Sequence, residues 1–90
     1  MIPKNRIPSH PGEILLEEFL KPIEMSQVEL ARSMGVPIQR VNTLINGKRD
    51  VTAQTAILLA RVLKTSSEFW MNLQVAFDLY QAQRTMEHAA

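Results

Sequence analysis

The sequence predicts an all-α domain of five short helices. Three observations carry that reading. Apolar residues recur at helical spacing in five segments, capping residues or prolines bracket those segments, and no stretch alternates strictly enough for a strand. Ninety residues suffice for one domain and not two, so residues 1–90 are read as a single unit. An apolar fraction of 46% with 21% charged residues fits a chain that buries a core.

Residues 1–11 carry Pro3, Pro8 and Pro11, and proline leaves helical hydrogen bonds unmade, so this stretch is read as an extended arm. The first helix is expected from Gly12 to Lys21, with Leu15, Leu16, Phe19 and Leu20 on one face and Pro22 ending it. Glu17 and Lys21 stand four apart in the favourable order on its outer side. The second helix opens at Ser26, because Ser26-Gln27-Val28-Glu29 has capping-box spacing. Leu30, Ala31 and Met34 form its buried stripe, and Gly35 falls where a helix end wants a left-handed residue.

The third helix is expected to begin with Pro37 in its first turn. Ile38, Val41, Leu44 and Ile45 face inward, which leaves Gln39, Arg40, Asn42, Thr43 and Asn46 outside until Asn46-Gly47 turns the chain. The fourth helix follows Thr52 as N-cap and is expected to pack through Ala56, Ile57, Leu59, Ala60 and Leu63. The fifth starts from the Thr65-Ser66-Ser67-Glu68 cap, which has two possible registers, and spans residues 66–83, with the tail to Ala90 expected to fray.

Several function classes drop out. The chain has no cysteine, which removes disulfides, thiolate zinc sites and cysteine nucleophiles and suits a reducing compartment. The apolar run Ala56-Ile57-Leu58-Leu59-Ala60 is far short of the ~20 residues a bilayer requires. The N-terminal residues have no apolar run behind them, so they do not read as a signal peptide. A soluble cytoplasmic domain with no membrane partner is expected. His10 and His88 sit near opposite ends, and His10 with Glu13 falls two ligands short of a metal site. His10 is expected in the loop leading into the first helix and His88 in a loose tail. No nucleophile–base pair can be named, so neither an enzyme nor a cofactor is indicated.

Charge is uneven although the net charge is only +1. From Leu30 to Arg49 the chain holds Arg32, Arg40, Lys48 and Arg49 and no acid. From Glu13 to Glu29 it holds Glu13, Glu17, Glu18, Glu24 and Glu29 against Lys21 alone. A near-neutral protein can thus present one basic face and one acidic face.

Residues 26–46 carry the functional signal. A capped helix, a glycine turn and a proline-started helix follow one another, with small Ala31 at the crossing and Val41 and Ile45 anchoring the second helix from beneath. A helix-turn-helix needs that arrangement, because its second helix must lie on the first and still project an outer edge. Gln39, Arg40 and Thr43 belong to the half that enters a major groove of double-stranded DNA. Arginine pairs with guanine O6 and N7, glutamine with adenine N6 and N7, and a threonine methyl meets a thymine methyl. Gln27, Asn46, Lys48 and Arg49 are placed to hold phosphates on either side.

Ser26-Gln27, Leu30-Ala31, Gly35-Val36, Asn46-Gly47-Lys48-Arg49 and Leu59-Ala60 resemble the helix-turn-helix class of phage repressors. His10-Pro11-Gly12-Glu13, Thr52-Ala53-Gln54-Thr55-Ala56 and Glu68-Phe69-Trp70-Met71-Asn72-Leu73-Gln74 are similar more specifically to the HigA antitoxin family, also labelled virulence-associated protein I. The likeness covers roughly residues 8 to 80. It implies a five-helix phage-repressor-like fold and a dimeric repressor of its own operon that neutralises a RelE-like mRNA-cleaving toxin. It also implies groove contacts at Pro37, Gln39, Arg40 and Thr43 and phosphate contacts at Gln27 and Asn46. Ile38 stands where phage repressors often carry a polar base-reading side chain, so readout here leans on Gln39, Arg40 and Thr43.

The fifth helix has two apolar faces at ~100° per residue. Phe69, Trp70, Leu73, Ala76, Phe77 and Tyr80 suit the intrachain core. Met71, Val75, Leu79, Ala82 and Met86 lie opposite. A surface helix needs only one stripe, so the second predicts a two-fold homodimer. Glu13, Glu17 and Glu18 form an acidic patch suited to a basic, RNA-cleaving toxin, although acids there also complement a helix dipole. A stand-alone regulator with no toxin fits the DNA face equally well. An interaction module that has lost DNA binding predicts no salt-sensitive duplex binding.

Overall fold

In the computed structural model, which describes residues 7–89, Pro11 opens the first helix instead of closing the arm. A missing N–H is harmless in a first turn. Residues 7–10 have no regular structure, and residues 1–6 of the expected arm lie outside the described residues. His10 caps the helix, its Nδ1 accepting the Gly12 N–H at 3.0 Å.

Helix α1 spans residues 11–23 as a continuous rod, α-helical over Pro11–Ile14, π-helical over Leu15–Leu20 and α-helical again over Lys21–Ile23. Pro22 therefore does not end it, contrary to the sequence expectation. In an α-helix the proline ring presses on the carbonyl four residues back. Here the Lys21 N–H already reaches the Leu16 carbonyl, five back, so the turn is widened before the ring arrives. The rod ends at Glu24, which takes a left-handed conformation (φ 56°), and the Met25 N–H closes on the Leu20 carbonyl at 3.0 Å.

Helices α2 (Gln27–Met34), α3 (Ile38–Ile45), α4 (Ala53–Leu63) and α5 (Ser67–Ala89) complete an all-α domain. Among the described residues there is no strand. Leu15 and Leu20 of α1, Leu30, Ala31 and Met34 of α2, Val41 and Leu44 of α3, Ala56 and Leu59 of α4 and Trp70 of α5 bury one shared core. Trp70 is enclosed between Phe19 and Phe69, with ring centroids 5.1 and 5.0 Å away, and its Nε1 donates to Thr65 Oγ1 at 2.8 Å. That hydrogen bond removes the penalty of burying an indole N–H.

Three further expectations are corrected. On α4 the inward direction is set by Ala56 and Leu59, which leaves Ile57 exposed and turns Thr55 inside, its hydroxyl bonded to the Thr52 cap. Helix α5 continues to Ala89 instead of fraying near Gln83, so His88 lies on the helix and not in a loose tail. No glycine or proline interrupts that stretch. Arg84 also donates to the Tyr80 hydroxyl one turn back, at 3.1 Å. Of the face assigned to the core, Phe69 and Ala76 are exposed. No described helix is long and apolar enough to cross a membrane.

Candidate nucleic-acid interface

The interface is built from α2 upward. Ser26 and Glu29 form a complete capping box, each side chain accepting the other's backbone N–H at 3.0 Å. Hydrogen bonds from the Ser26 N–H and then its hydroxyl hold the Glu29 carboxyl below the usual carboxylate range, with Arg32 adding to the effect. Gly35 ends α2 in a left-handed conformation (φ 72°), and the Val36 N–H returns to the Ala31 carbonyl at 3.0 Å. Pro37 then takes an extended backbone (ψ 146°) as the N-cap of α3, so the helix begins at Ile38, one residue later than expected, and the Pro37 carbonyl accepts the Arg40 N–H.

On α3, Val41 and Leu44 are buried, and Ile38 and Ile45 are half-buried against the core. The opposite edge is polar. Pro37 and Gln39 are exposed, and Arg40, Asn42 and Thr43 are half-buried. Gln27 is half-buried as the first residue of α2, while Asn46, Lys48 and Arg49 are exposed at the corner after α3. The Thr43 hydroxyl donates to the Gln39 carbonyl at 2.7 Å and accepts from Arg49 Nε at 3.2 Å. An expected groove residue and an expected phosphate residue are thus joined directly. Among the described residues Arg40, Lys48 and Arg49 form no ion pair, so their charge is available to a polyanion.

The first turn of α1 props α3 from below. A Cβ on Gly12 would lie 2.7 Å from the Leu44 carbonyl carbon and 2.9 Å from Ile45 Cα, and nearer still to the Leu44 oxygen. Only glycine lets the two backbones meet there. Behind the corner, Gln74 accepts the Val51 N–H at 2.7 Å, and His10 Nε2 lies 3.5 Å from Asp50 Oδ1. Neither support was identified from sequence. A Gln four residues before Asp78 was the available signal for the first, and the His10-Pro11-Gly12 run for the second.

The chain as a whole is similar to known proteins. The helix-turn-helix family model matches residues 16–70. Virulence-associated protein I of Dichelobacter nodosus is 42% identical over 82 residues, covering 90% of this chain and 76% of its own length. The chain belongs to the HigA and virulence-associated protein I family. A HigA-family addiction-module antidote protein from Coxiella burnetii superposes with a TM-score of 0.86 at 42% identity, over 93% of this chain and 91% of that one. Antitoxin HigA of Pseudomonas aeruginosa, solved with the higBA promoter, superposes with a TM-score of 0.83 at 40% identity, over 92% and 95% of the two chains.

The remaining expected sites of this HigA-family chain lie elsewhere. Glu13, Glu17 and Glu18 are exposed on α1 and, with Ser9 and Ile14, line an open cleft of about 240 Å³. Glu17 also pairs with Lys21 at 2.6 Å. On α5, Val75, Leu79 and Met86 are 50%, 57% and 71% exposed and Ala82 is exposed as well, whereas Met71 is half-buried against the core. The exposed four are spaced as in a coiled-coil seam, four, three and four residues apart.

Proposed function

We propose that this protein is a sequence-specific repressor that binds its operon promoter as a homodimer and serves as the antitoxin of a type II pair, neutralising a RelE-like, mRNA-cleaving toxin in the cytoplasm. One observation carries the DNA half of the reading: the polar edge of α3 stands clear of the core beside cations that no described acid neutralises. Gln39, Arg40 and Thr43 read bases, Pro37 packs at the groove wall, and Gln27, Asn46, Lys48 and Arg49 hold phosphates. The promoter complex of the P. aeruginosa relative supports the DNA-binding reading as a whole.

The apolar seam of Val75, Leu79, Ala82 and Met86 supports a two-fold pairing through α5. Such pairing sets two recognition helices about 34–36 Å apart, one turn of DNA. The toxin half rests on family membership and on Glu13, Glu17 and Glu18, whose acidic surface suits a basic partner. Footprinting on the DNA upstream of the protein's own gene, with and without the neighbouring gene product, tests both halves. The expected result is a protected site whose occupancy the neighbour alters. Protection without any effect of the neighbour leaves a stand-alone regulator, and absence of protection overturns the DNA reading.

A further inference from the structure

The corner after α3 is fastened to α5 by a polar side chain that has no role in the DNA face itself. Gln74 is only 4% exposed. Its Oε1 accepts the Val51 N–H at 2.7 Å, and its Nε2 donates to Asp78 Oδ1 at 2.8 Å. Asp78 and Val51 together fix the sense of the carboxamide, because the reversed amide would set two oxygens against each other at Asp78 and two donors at Val51. Val51 is buried and lies outside any helix, so without Gln74 its N–H would have no acceptor. From the other side, the His10 ring stands edge-on to Phe77, centroids 5.0 Å apart, with Nε2 3.5 Å from Asp50. Lys48 and Arg49 immediately precede these two anchored residues, and Arg49 in turn braces Thr43.

We propose that Gln74, oriented by Asp78, is a positioning residue for duplex binding: it ties residues 50–51 to α5 and thereby holds Lys48 and Arg49 where α3 needs them. The proposal rests on the DNA-binding reading above. Gln74 touches no nucleic acid and acts through the corner. Because Val75 and Leu79 directly follow Gln74 and Asp78 along α5, the same turns of helix carry the tether and the apolar seam on adjoining faces.

The test uses the full chain, Gln74→Met, which keeps length and removes the acceptor, and Asp78→Asn, which keeps an oxygen for Gln74 Nε2. Binding to the duplex upstream of the protein's own gene is measured at several salt concentrations, beside amide exchange and thermal melting of the free protein. Gln74→Met is expected to stay helical, to exchange its Val51 amide faster and to bind at least about tenfold more weakly, the scale of one lost charge-assisted contact. Its salt slope should be shallower by about 2, one phosphate per protomer of a dimer. Asp78→Asn should bind as the unchanged protein does. Should Gln74→Met fail to fold, Asp78→Ala, which leaves the acceptor unanchored, is expected to weaken binding and flatten the slope in the same sense. Unchanged affinity and slope per folded protein, however far the melting point drops, would make Gln74 merely structural and overturn the proposal. If the unchanged protein shows no salt-dependent binding, the DNA reading fails and takes this inference with it.

Discussion

Replacing Gly12 by alanine separates a helix-propensity argument from a packing argument, because the two give opposite signs. In an exposed helix interior, alanine is better than glycine by about 1 kcal/mol, so propensity alone raises stability. The structure predicts the reverse. The new Cβ would sit 2.7 Å from the Leu44 carbonyl carbon, about 0.8 Å inside an optimal carbon contact. Neither partner can swing away, since both are backbone, one in the first turn of α1 and the other in α3. Relief requires α1 to lift from α3, which opens buried Pro11 and Gly12 and loosens the His10 cap. Overpacking of this kind costs about 1–3 kcal/mol, and a clash with no side chain to yield belongs at the upper end. At roughly 4–8 °C per kcal/mol for a domain this small, a drop of about 12–24 °C is expected. Thermal unfolding of the Gly12→Ala protein, followed by circular dichroism, reads it directly. An unchanged or raised melting temperature would refute the close-approach argument.

Other perturbations distinguish the roles assigned to the surface. Arg40→Ala should relax preference at one base position at a cost of about 1–3 kcal/mol, whereas Lys48→Ala should weaken all duplexes alike and lower the salt slope by ~1 per protomer. Comparing operator with scrambled DNA checks this. Leu79→Glu places charge in the middle of the α5 seam and should shift sedimentation from dimer to monomer while leaving helix content intact. Glu29 is held below its ordinary pKa in the folded state, so its contribution to stability is present above the unfolded carboxylate value and lost as pH falls through the folded one. The melting-temperature gap between the unchanged protein and Glu29→Ala should therefore close on acidification.

The local signals in the sequence were legible and the tertiary ones were not. Ser26 with Glu29, Gly35 and Thr52 announce their caps because capping is decided within four residues, and the structure has each of them. Trp70 follows from the aromatic spacing of α5. Pro22 misleads because a π-helical turn relieves its clash, and nothing in the local pattern encodes that turn. Ile57 misleads because an apolar run in α4 hides which side faces inward. Met71 matches the seam by spacing, yet its neighbours across the core claim it. The reason for Gly12, the tether of Gln74 and the His10–Asp50 approach all depend on which backbones meet, information that periodicity does not contain.

Guanine methylation interference on the upstream DNA reports on the seating of α3, because the N7 it modifies lies in the major groove that this helix would enter. Two clusters of interfering guanines are expected about one helical turn apart, related by two-fold symmetry, with Arg40→Ala erasing one guanine from each. Binding that is indifferent to N7 methylation, or that survives loss of Gln39, Arg40 and Thr43 together, would contradict that seating.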